Sequence, residues 1–306
     1  VVIGISQRVE VVVPATSANL GPGFDCLGIA LTIVNRYTFL LRDEGIEISG
    51  CPEEFCNADH MTVRAFHSLY KEVGQTPPGL RLHLEGRIPI ARGLGSSAAC
   101  ILAGLAAANR FLGDRFSEEE LFERACRLEG HPDNIAPALF GGFCAALRDD
   151  RTDRFSYRKF TVHQFPRLYA LVPDFCLSTA QARSVLPGLY TKEDVVATIQ
   201  RLAWLLGNLT QHDLKSFAIG FEDRVHHPYR GPLIPDWEPI TRHLSQKIDG
   251  GVTISGSGPT LLVWVHGSAQ PIATYIRELA PLLQARWEVL PCALNSEGLR
   301  VVSSVE

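Results

Sequence analysis

The 306-residue chain has few of the features of membrane or secreted proteins. It contains no uninterrupted apolar run of about 18 residues, the length that a membrane-spanning helix requires. Its first residues, VVIGISQRVEVVVP, lack the cationic stretch, the long apolar segment and the small-residue cleavage site of a secretion signal. We therefore expect a soluble, cytoplasmic protein that does not associate with a membrane.

Concentrated positive charge is also scarce. The chain has 29 basic and 33 acidic residues, a formal net charge of -4, and the longest run of like charge is the short acidic stretch within SEEE, residues 117–120. Proteins that bind nucleic acid through its phosphates need a broad basic surface. We therefore expect no nucleic-acid partner.

The eight cysteines do not form a zinc-binding pattern. There is no C-x-x-C pair, and no pair of histidines follows at the spacing of zinc ligands. Most of the cysteines lie in apolar stretches, which predicts core thiols in a reducing compartment. They are Cys26, Cys51, Cys56, Cys100, Cys126, Cys144, Cys176 and Cys292.

A hydrophobic content of 46% over this length is sufficient for a large core, and we expect two lobes. Apolar alternation predicts strands over residues 8–13, 31–41, 46–49, 80–86, 143–148, 168–173, 251–265 (a pair split by a Gly-Pro turn), 286–293 and 299–303. Helical spacing predicts helices over residues 60–74, 97–112, 117–130, 191–206, 236–247 and 270–283. The polar stretch 148–154 is the predicted boundary between the lobes.

The segment PIARGLGSSAA, residues 89–99, precedes a predicted helix and has the composition of a phosphate-binding loop. Gly93 and Gly95 allow a sharp turn and a close approach to a ligand, and the helix start offers free N–H groups and a positive dipole end to an anion. No lysine follows, so this is not a Walker loop, and Mg²⁺ held by a hydroxyl and a carboxylate is the usual source of the missing charge. The alternative is that GLGSS only caps a packed helix.

Two further glycine-containing loops lie far away in the sequence. PATSANLGPGFD, residues 14–25, follows a predicted strand and combines Pro14, Asn19 and Asp25 with a tight turn. ISGSGPTLL, residues 254–262, has a similar design. Polar loops of this kind are common sites of binding and catalysis, and all three must meet in one cleft if they share a task.

These three segments, in this order and together with EGHPDNIAPALFGG at 129–142, resemble the motifs of the GHMP kinases, the family named for galactokinase, homoserine kinase, mevalonate kinase and phosphomevalonate kinase. The first motif and residues 129–142 are most similar to the branch that phosphorylates homoserine. The resemblance extends from about residue 8 to residue 265. It implies ATP-dependent phosphorylation of the side-chain hydroxyl of L-homoserine to O-phospho-L-homoserine, a step of threonine biosynthesis.

The resemblance also implies a fold class, α+β. The fold would have two lobes, an N-terminal nucleotide-binding lobe like domain 2 of ribosomal protein S5 over residues 1–155 and a ferredoxin-like C-terminal lobe over residues 156–306. Two alternatives stay open: another small-molecule kinase of the family with a mevalonate-like alcohol acceptor, or a non-catalytic binding protein with this fold. The oligomeric state is also open, with a homodimer among the alternatives.

By resemblance, the nucleotide-binding residues would be Pro89, Ile90, Ala91, Arg92, Gly93, Leu94, Gly95, Ser96, Ser97, Ala98 and Ala99, together with His60 and Thr179. His60 stands where the family often has an asparagine against the adenine, in HMTVRA instead of NLVYRA. Ser97 and Glu129 would hold Mg²⁺. ATP and Mg²⁺ are thus the implied cofactors.

The acceptor site would contain Asn19, Asp25, His131, Asn134, Arg183 and Arg230. The two arginines would bind the carboxylate of the amino acid, since a guanidinium group matches a planar carboxylate. Asn19, Asp25 and Asn134 would be catalytic, aligning the hydroxyl for direct attack on the γ-phosphate without an assigned general base. Phosphoryl transfer tolerates this, because its transition state is loose and its rate depends on positioning and charge. His226 and His227 are predicted to be structural.

Overall fold

The computed structural model describes residues 7–162, 164–211, 214, 216–267 and 270–305. Its larger sheet has the strand order β11-β1-β2-β4-β3, and β5 pairs with β2 and β6. These strands are β1 (Gln7–Ala18), β2 (Leu27–Arg42), β3 (Ile46–Ser49), β4 (Gly79–Glu85), β5 (Phe143–Asp149), β6 (Arg154–Phe160) and β11 (Arg300–Val305). All pairs are antiparallel except β3 with β4.

Four helices accompany this sheet: α1 (Met61–Glu72), α2 (Ser96–Phe111), α3 (Glu118–Glu129) and α4 (Ile135–Phe140). Helix α2 is rich in Ala and Leu and buries most of its residues, so it lies inside the lobe. It packs closely on α1, because a Cβ at Gly104 would lie 2.2 Å from the carbonyl oxygen of Thr62. The predicted capping box of α3, between Ser117 and Glu120, is confirmed.

The smaller sheet has the antiparallel order β10-β7-β9-β8. Its strands are β7 (Arg167–Pro173), β8 (Asp249–Ile254), β9 (Leu261–His266) and β10 (Trp287–Cys292), and its helices are α5 (Thr179–Ser184), α6 (Lys192–Gln211), α7 (His227–Arg230), α8 (Trp237–Ser245) and α9 (Ile272–Leu279). One side packs on α8 and α9 through a separate cluster of apolar residues. Residues of the other side, such as Leu168 and Trp264, join the main core. The main core therefore extends from the larger sheet to one face of the smaller sheet.

The structure differs from the sequence-based expectations at three places. Strand β2 begins at Leu27, four residues before the predicted start. The polar stretch 148–154 lies mostly in the turn of the β5–β6 hairpin, so the chain leaves the larger sheet only after Phe160. The C-terminal strand β11 returns to pair with β1. A hairpin turn and a lobe boundary have the same polar composition, and local sequence does not distinguish them.

The described part of the chain does not meet the requirements for a membrane-spanning helix. None of its helices combines the length and the apolar character that a membrane crossing requires.

Candidate active site

The three glycine-containing loops meet in space. The amide of Thr16, in the first loop, donates to the carbonyl oxygen of Leu94 in the central loop at 3.1 Å. The amide of Gly256, in the third loop, donates to the carbonyl oxygen of Ala18 at 3.1 Å. The three loops therefore converge, as a shared task would require.

Two glycines of the central loop make this close approach possible. Gly93 and Gly95 have φ of 75° and 71°, a backbone region that favours glycine. A Cβ on Gly93 would lie 2.2 Å from the carbonyl oxygen of Ser255, and one on Gly95 would lie 2.0 Å from Oγ1 of Thr16. Any side chain at either position would push the loops apart.

The central loop ends at the N-terminus of α2, which is open to an anion. Gly95 is the N-cap residue and offers no side-chain hydrogen bond to the first turn. The hydroxyl of Ser255 donates to the carbonyl oxygen of Gly93 at 2.6 Å and fixes the loop from the side of the third motif. The first amides of α2, with Ser96 and Ser97 beside them, lie at the positive end of the helix dipole, a position that suits an anion. We call this region the phosphate end.

Ser97 and Glu129 suit a magnesium ion. Oγ of Ser97 donates to Oε2 of Glu129 at 2.5 Å, across 32 positions of sequence. Burial raises the pKa of Glu129, while Ser97 and His131 oppose that rise. A buried carboxylate at the C-terminal end of a helix is unfavourable without a nearby cation. A hydroxyl and a carboxylate are hard oxygen donors of the kind that Mg²⁺ prefers, so these residues fit the ion.

A buried carboxylate that the sequence analysis missed, Asp133, organises the neighbouring residues. Nδ1 of His131 lies 2.7 Å from its Oδ1, and the side-chain amide of Asn134 donates to the same oxygen at 3.4 Å. Oγ1 of Thr16 donates to the amide oxygen of Asn134 at 2.7 Å and so fixes the orientation of that amide. The only local signal for Asp133 was its place between His131 and Asn134 in HPDN.

His131 is held in a negative environment. Burial lowers the pKa of His131, but Asp133 and Glu129 together raise it above its ordinary value. Nε2 of His131 lies 4.0 Å from Oε1 of Glu129. The predicted metal ligand and the predicted acceptor residue are therefore neighbours.

At the other end of the cleft, Asp25 and Arg183 form a two-pronged ion pair with N–O distances of 2.8 and 2.9 Å. This pairing raises the pKa of the Arg183 guanidinium. Arg230 is buried beside them and donates to the carbonyl oxygens of Ala182 and Gly256. The ring of Phe24 lies 5.8 Å from the Arg183 guanidinium and 5.0 Å from that of Arg230. We call this region the acceptor end.

The first loop has an uncommon backbone that places its polar groups at the acceptor end. Asn19, Leu20 and Asp25 all have positive φ, of 71°, 49° and 52°, which costs free energy in residues other than glycine. The side-chain amide nitrogen of Asn19 donates to the carbonyl oxygen of Gly256 at 2.7 Å, and the side-chain oxygen of Asn19 accepts the backbone N–H of Asp25 at 3.0 Å. Asn19 therefore connects the first and third loops.

His226 contacts the first loop, a feature that sequence reasoning did not find. Its Nε2 donates to the carbonyl oxygen of Gly21 at 2.8 Å, and its ring centroid lies 5.3 Å from that of Phe24. Asp223 accepts the backbone N–H groups of His226 and His227 at 2.7 and 2.6 Å and so fixes the start of α7, the helix that ends with Arg230. His226 thus links the first loop to α7.

The cluster of Asp223, His226 and His227 has one buried ligand atom without a partner among the described residues, Nδ1 of His226, but other candidate ligand atoms of the cluster are already bound. Their candidate ligand atoms lie within 4.8 Å of one another. However, Nε2 of His226 is bound to Gly21, and Nε2 of His227 accepts the backbone N–H of Ile254 at 3.2 Å. A neutral His227 then carries its proton on Nδ1 and presents no lone pair there.

The two remaining residues predicted to bind the nucleotide, His60 and Thr179, both lie at the starts of helices. His60 is the N-cap of α1, and its Nδ1 accepts the backbone N–H of Thr62 at 3.2 Å. Burial lowers the pKa of His60, which favours the neutral ring. Thr179 is the first residue of α5, and its Oγ1 lies 3.4 Å from Oγ of Ser257 in the third loop.

Two family profiles, described as GHMP kinases N terminal domain and GHMP kinases C terminal, match residues 60–142 and 205–282. The fold and the three converging loops thus define a kinase of this class, whose usual cofactor is ATP with Mg²⁺. Homoserine kinase from Clostridium botulinum is 37% identical over 290 residues, which cover 95% of this chain and 97% of that protein. Homoserine kinase from Clostridium beijerinckii is 35% identical over 299 residues, covering 97% and 100%.

A solved structure is similar over the same extent. The crystal structure of homoserine kinase from Cytophaga hutchinsonii superimposes with a TM-score of 0.84 at 26% identity and covers 98% of each chain. The chain therefore belongs to the homoserine kinase family of the GHMP kinases. The expected family and the two-lobed α+β fold are confirmed.

Proposed function

We propose that this protein transfers the γ-phosphoryl group of ATP to the side-chain hydroxyl of L-homoserine, which yields O-phospho-L-homoserine and ADP in threonine biosynthesis. Relatives named homoserine kinase match nearly the whole chain. The observation that carries the choice of acceptor is the ion pair of Asp25 and Arg183 beside Arg230.

This arrangement complements the two charges of an α-amino acid. The carboxylate of Asp25 can bind an ammonium group, and the guanidinium of Arg183 can bind a carboxylate. A bound zwitterion would therefore replace the ion pair between Asp25 and Arg183 with two ion pairs to the ligand. Arg230 supplies a second guanidinium at the same place. A mevalonate-like acceptor has a carboxylate but no ammonium group, and would leave Asp25 without its cation. The acceptor end therefore favours an amino acid.

We assign alignment of the acceptor hydroxyl to Asn19, Asp25 and Asn134. Thr16 fixes the amide of Asn134, and Gly256 fixes that of Asn19, so both groups are held in place before the substrate binds. The hydroxyl oxygen forms a bond to the γ-phosphorus as the bond to the bridging β–γ oxygen breaks, ADP leaves with that electron pair, and the hydroxyl proton passes to an oxygen of the transferred phosphoryl group. Positioning of this kind supplies much of the rate in phosphoryl transfer, and no dedicated base is needed.

We assign the triphosphate to residues 89–99 at the N-terminus of α2, and Mg²⁺ to Ser97 and Glu129. The ion neutralises charge on the phosphate oxygens when it is bound. Thr179 reaches the third loop next to this region. His60 would contact the adenine: its Nδ1 is engaged by Thr62, which leaves Nε2 of a neutral ring to interact with the base.

We further propose that the enzyme acts in the cytoplasm as a homodimer and does not bind nucleic acid. The eight cysteines are free thiols, which suits a reducing compartment. Val195, Ile199 and Trp204 on α6 are exposed apolar side chains, a composition suited to a subunit contact. The net charge of -4 disfavours nucleic acid.

The test is an assay coupled to ADP release, with purified protein, ATP, Mg²⁺ and one acceptor at a time. L-Homoserine should be phosphorylated, whereas γ-hydroxybutyrate, which lacks the ammonium group, and mevalonate should be poor substrates. ADP release with mevalonate and none with homoserine would overturn the choice of acceptor. No ADP release with any alcohol, despite ATP binding, would favour a non-catalytic binding protein.

A further inference from the structure

Two cysteine thiols lie in contact on the segment that leads into α1. Cys51 follows β3 and Cys56 follows the single turn Glu53–Phe55, and their Sγ atoms are 3.4 Å apart. Both side chains are half-buried, so small molecules can reach this region from solvent. The sequence analysis grouped these residues with the core thiols, but they are closer to the surface than Cys126 and Cys144.

The local backbone directs the two sulfur atoms towards each other. The amides of Phe55 and Cys56 donate to the carbonyl oxygens of Pro52 and Glu53 at 2.9 and 3.0 Å, which closes the chain into a turn. Sγ of Cys56 also lies 3.6 Å from the carbonyl oxygens of Cys51 and Pro52. A disulfide has an S–S length of about 2 Å, so a small movement of the sulfur atoms is enough to form one.

We propose that Cys51 and Cys56 form a reversible intramolecular disulfide and that this bond weakens nucleotide binding through His60, the proposed adenine contact. The oxidant is a small-molecule disulfide such as glutathione disulfide. The thiolate of Cys56 attacks one of its sulfur atoms, and a glutathione thiolate leaves. The deprotonated thiol of Cys51 then attacks the Cys56 sulfur of the mixed disulfide and releases the second glutathione thiolate. Two protein thiols are oxidised, and one disulfide is reduced to two thiols.

The order of the two attacks follows from the environment of Cys51. Burial and the neighbouring Cys56 sulfur raise the pKa of Cys51 to about 12, so it is a poor first nucleophile at neutral pH. The bond would close a loop with only four residues between the cysteines, and such short loops gain little stability from cross-linking. A bond of this kind is readily reduced again, as expected of a regulatory disulfide in a reducing compartment.

The pair is connected to His60 through the turns that follow it. The amide of His60 donates to the carbonyl oxygen of Asn57 at 3.1 Å, and that of Asp59 to the side-chain oxygen of Asn57 at 2.9 Å. Cys51 packs against the main core, as does Cys100, which lies one turn into α2 from Ser96. A constraint at Cys56 therefore reaches the N-cap of α1. This part of the inference rests on the proposed function, which places the adenine at His60.

The covalent part is tested by mass spectrometry on full-length protein carrying Cys176→Ser, which removes the exposed cysteine outside this segment. The protein is incubated with glutathione disulfide, alkylated and digested with trypsin. Cleavage after Arg42 and Arg64 gives a peptide, residues 43–64, whose two cysteines are Cys51 and Cys56. This peptide should lose two hydrogen atoms and escape alkylation, and dithiothreitol should restore it. Full alkylation after oxidation, or a link from either residue to Cys100, would overturn the proposal.

Cys56→Ser and Cys51→Ser should both abolish the mass change, and Cys126→Ser, at a buried cysteine elsewhere on the chain, should keep it. The functional part compares the Kd of ADP with Mg²⁺ for reduced and oxidised protein by calorimetry. Oxidation should weaken binding at least about threefold, reversibly, and Cys56→Ser should remove this difference. Formation of the disulfide with an unchanged Kd would overturn the coupling. If the reduced protein binds no nucleotide, the proposed function fails, while the mass change still decides the covalent part.

Discussion

The phosphate end and the acceptor end of the candidate site consist of different kinds of chemical group. The phosphate end consists of backbone amides and the short side chains of Ser96 and Ser97 at the start of α2, with Glu129 added from α3. The acceptor end consists of charged side chains from separate parts of the chain, and Asp25 and Arg183 are 158 positions apart. Anion binding by a helix start needs mainly a local conformation, whereas binding of a zwitterion needs charges that only the fold can bring together.

The two ends also differ in charge. Glu129 and Asp133 lie beside the phosphate end, and His131 is the titratable cation between them. At the acceptor end, two guanidinium groups face one carboxylate. Under the proposed function, the carboxylates beside the phosphate end require an added cation when a triphosphate binds, and the excess positive charge at the acceptor end complements a substrate carboxylate.

The largest effect is expected from Glu129→Gln at the phosphate end. The substitution keeps the shape of the side chain but removes the charge that balances Mg²⁺, so kcat should fall by about a thousandfold with little change in the KM for homoserine. The measurement is steady-state kinetics over a range of Mg²⁺ concentrations. Glu118→Gln, at an exposed position of the same helix, is the control and should behave like the unaltered protein. A Glu129→Gln variant with normal kcat would show that the metal lies elsewhere.

Arg183→Ala should produce the next largest effect, confined to the acceptor end. The substitution removes one partner of the substrate carboxylate and leaves Asp25 unpaired, so the KM for homoserine should rise by about a hundredfold while the Kd of ATP stays the same. Arg183→Lys should recover part of the loss, since a point charge replaces the planar guanidinium. The control is Arg201→Ala, which breaks an ion pair with Glu222. Equal weakening of ATP binding would contradict the separation of the two ends.

His226→Leu should have a smaller effect of the same kind. It removes the hydrogen bond to the carbonyl oxygen of Gly21, which is worth about 1 kcal/mol, and loosens the first loop. The KM for homoserine should rise by about tenfold with kcat nearly unchanged. His226→Gln, which keeps a donor, should restore most of the affinity. His266→Leu, at a histidine paired with Asp249, is the matched control. If Leu and Gln variants behave alike, the hydrogen bond has no positioning role.

The last prediction concerns stability at low pH and not activity. Burial lowers the pKa of His226 and, by more, that of His227, and the charge of Arg230 adds to the lowering at both. Below about pH 6.5 the unfolded chain binds protons at these histidines and the folded protein does not, so the free energy of unfolding falls as the pH falls and is fully present above that value. Each histidine contributes at most about 1.4 kcal/mol per pH unit.

Urea denaturation from about pH 8 to about pH 5 measures this slope. His227→Gln should be less stable at high pH, because the acceptor of the Ile254 amide is altered, and should also show a shallower dependence on pH. An unchanged slope would mean that other groups carry the proton uptake.

Much of the phosphate end could be predicted from sequence, because its conformation depends on residues that are close together in the chain. Two glycines, two serines and an Ala-rich segment predicted the loop and helix α2, and the helix begins at Ser96, one residue from the expected start. The capping box of α3 could be predicted for the same reason, because its two residues are only three positions apart. Thr16 was missed, because its role depends on the contact between β1 and the start of α4. Asp133 was missed although its partners are sequence neighbours, because its position in the sequence does not show that the fold buries its side chain.

The sequence by itself determined the alternation of long helices and strands, the glycine-containing loop before α2 and, through four motifs, the family. The tertiary structure alone decided that residues 148–154 form a hairpin turn, that β11 returns to the first sheet, and that Arg183 meets Asp25. Helices of four to six residues such as α4, α5 and α7 carry too little periodicity to be recognised. The reason is physical: capping and periodicity act over a few residues, whereas ion pairs between distant segments form only when a shared core brings those segments together.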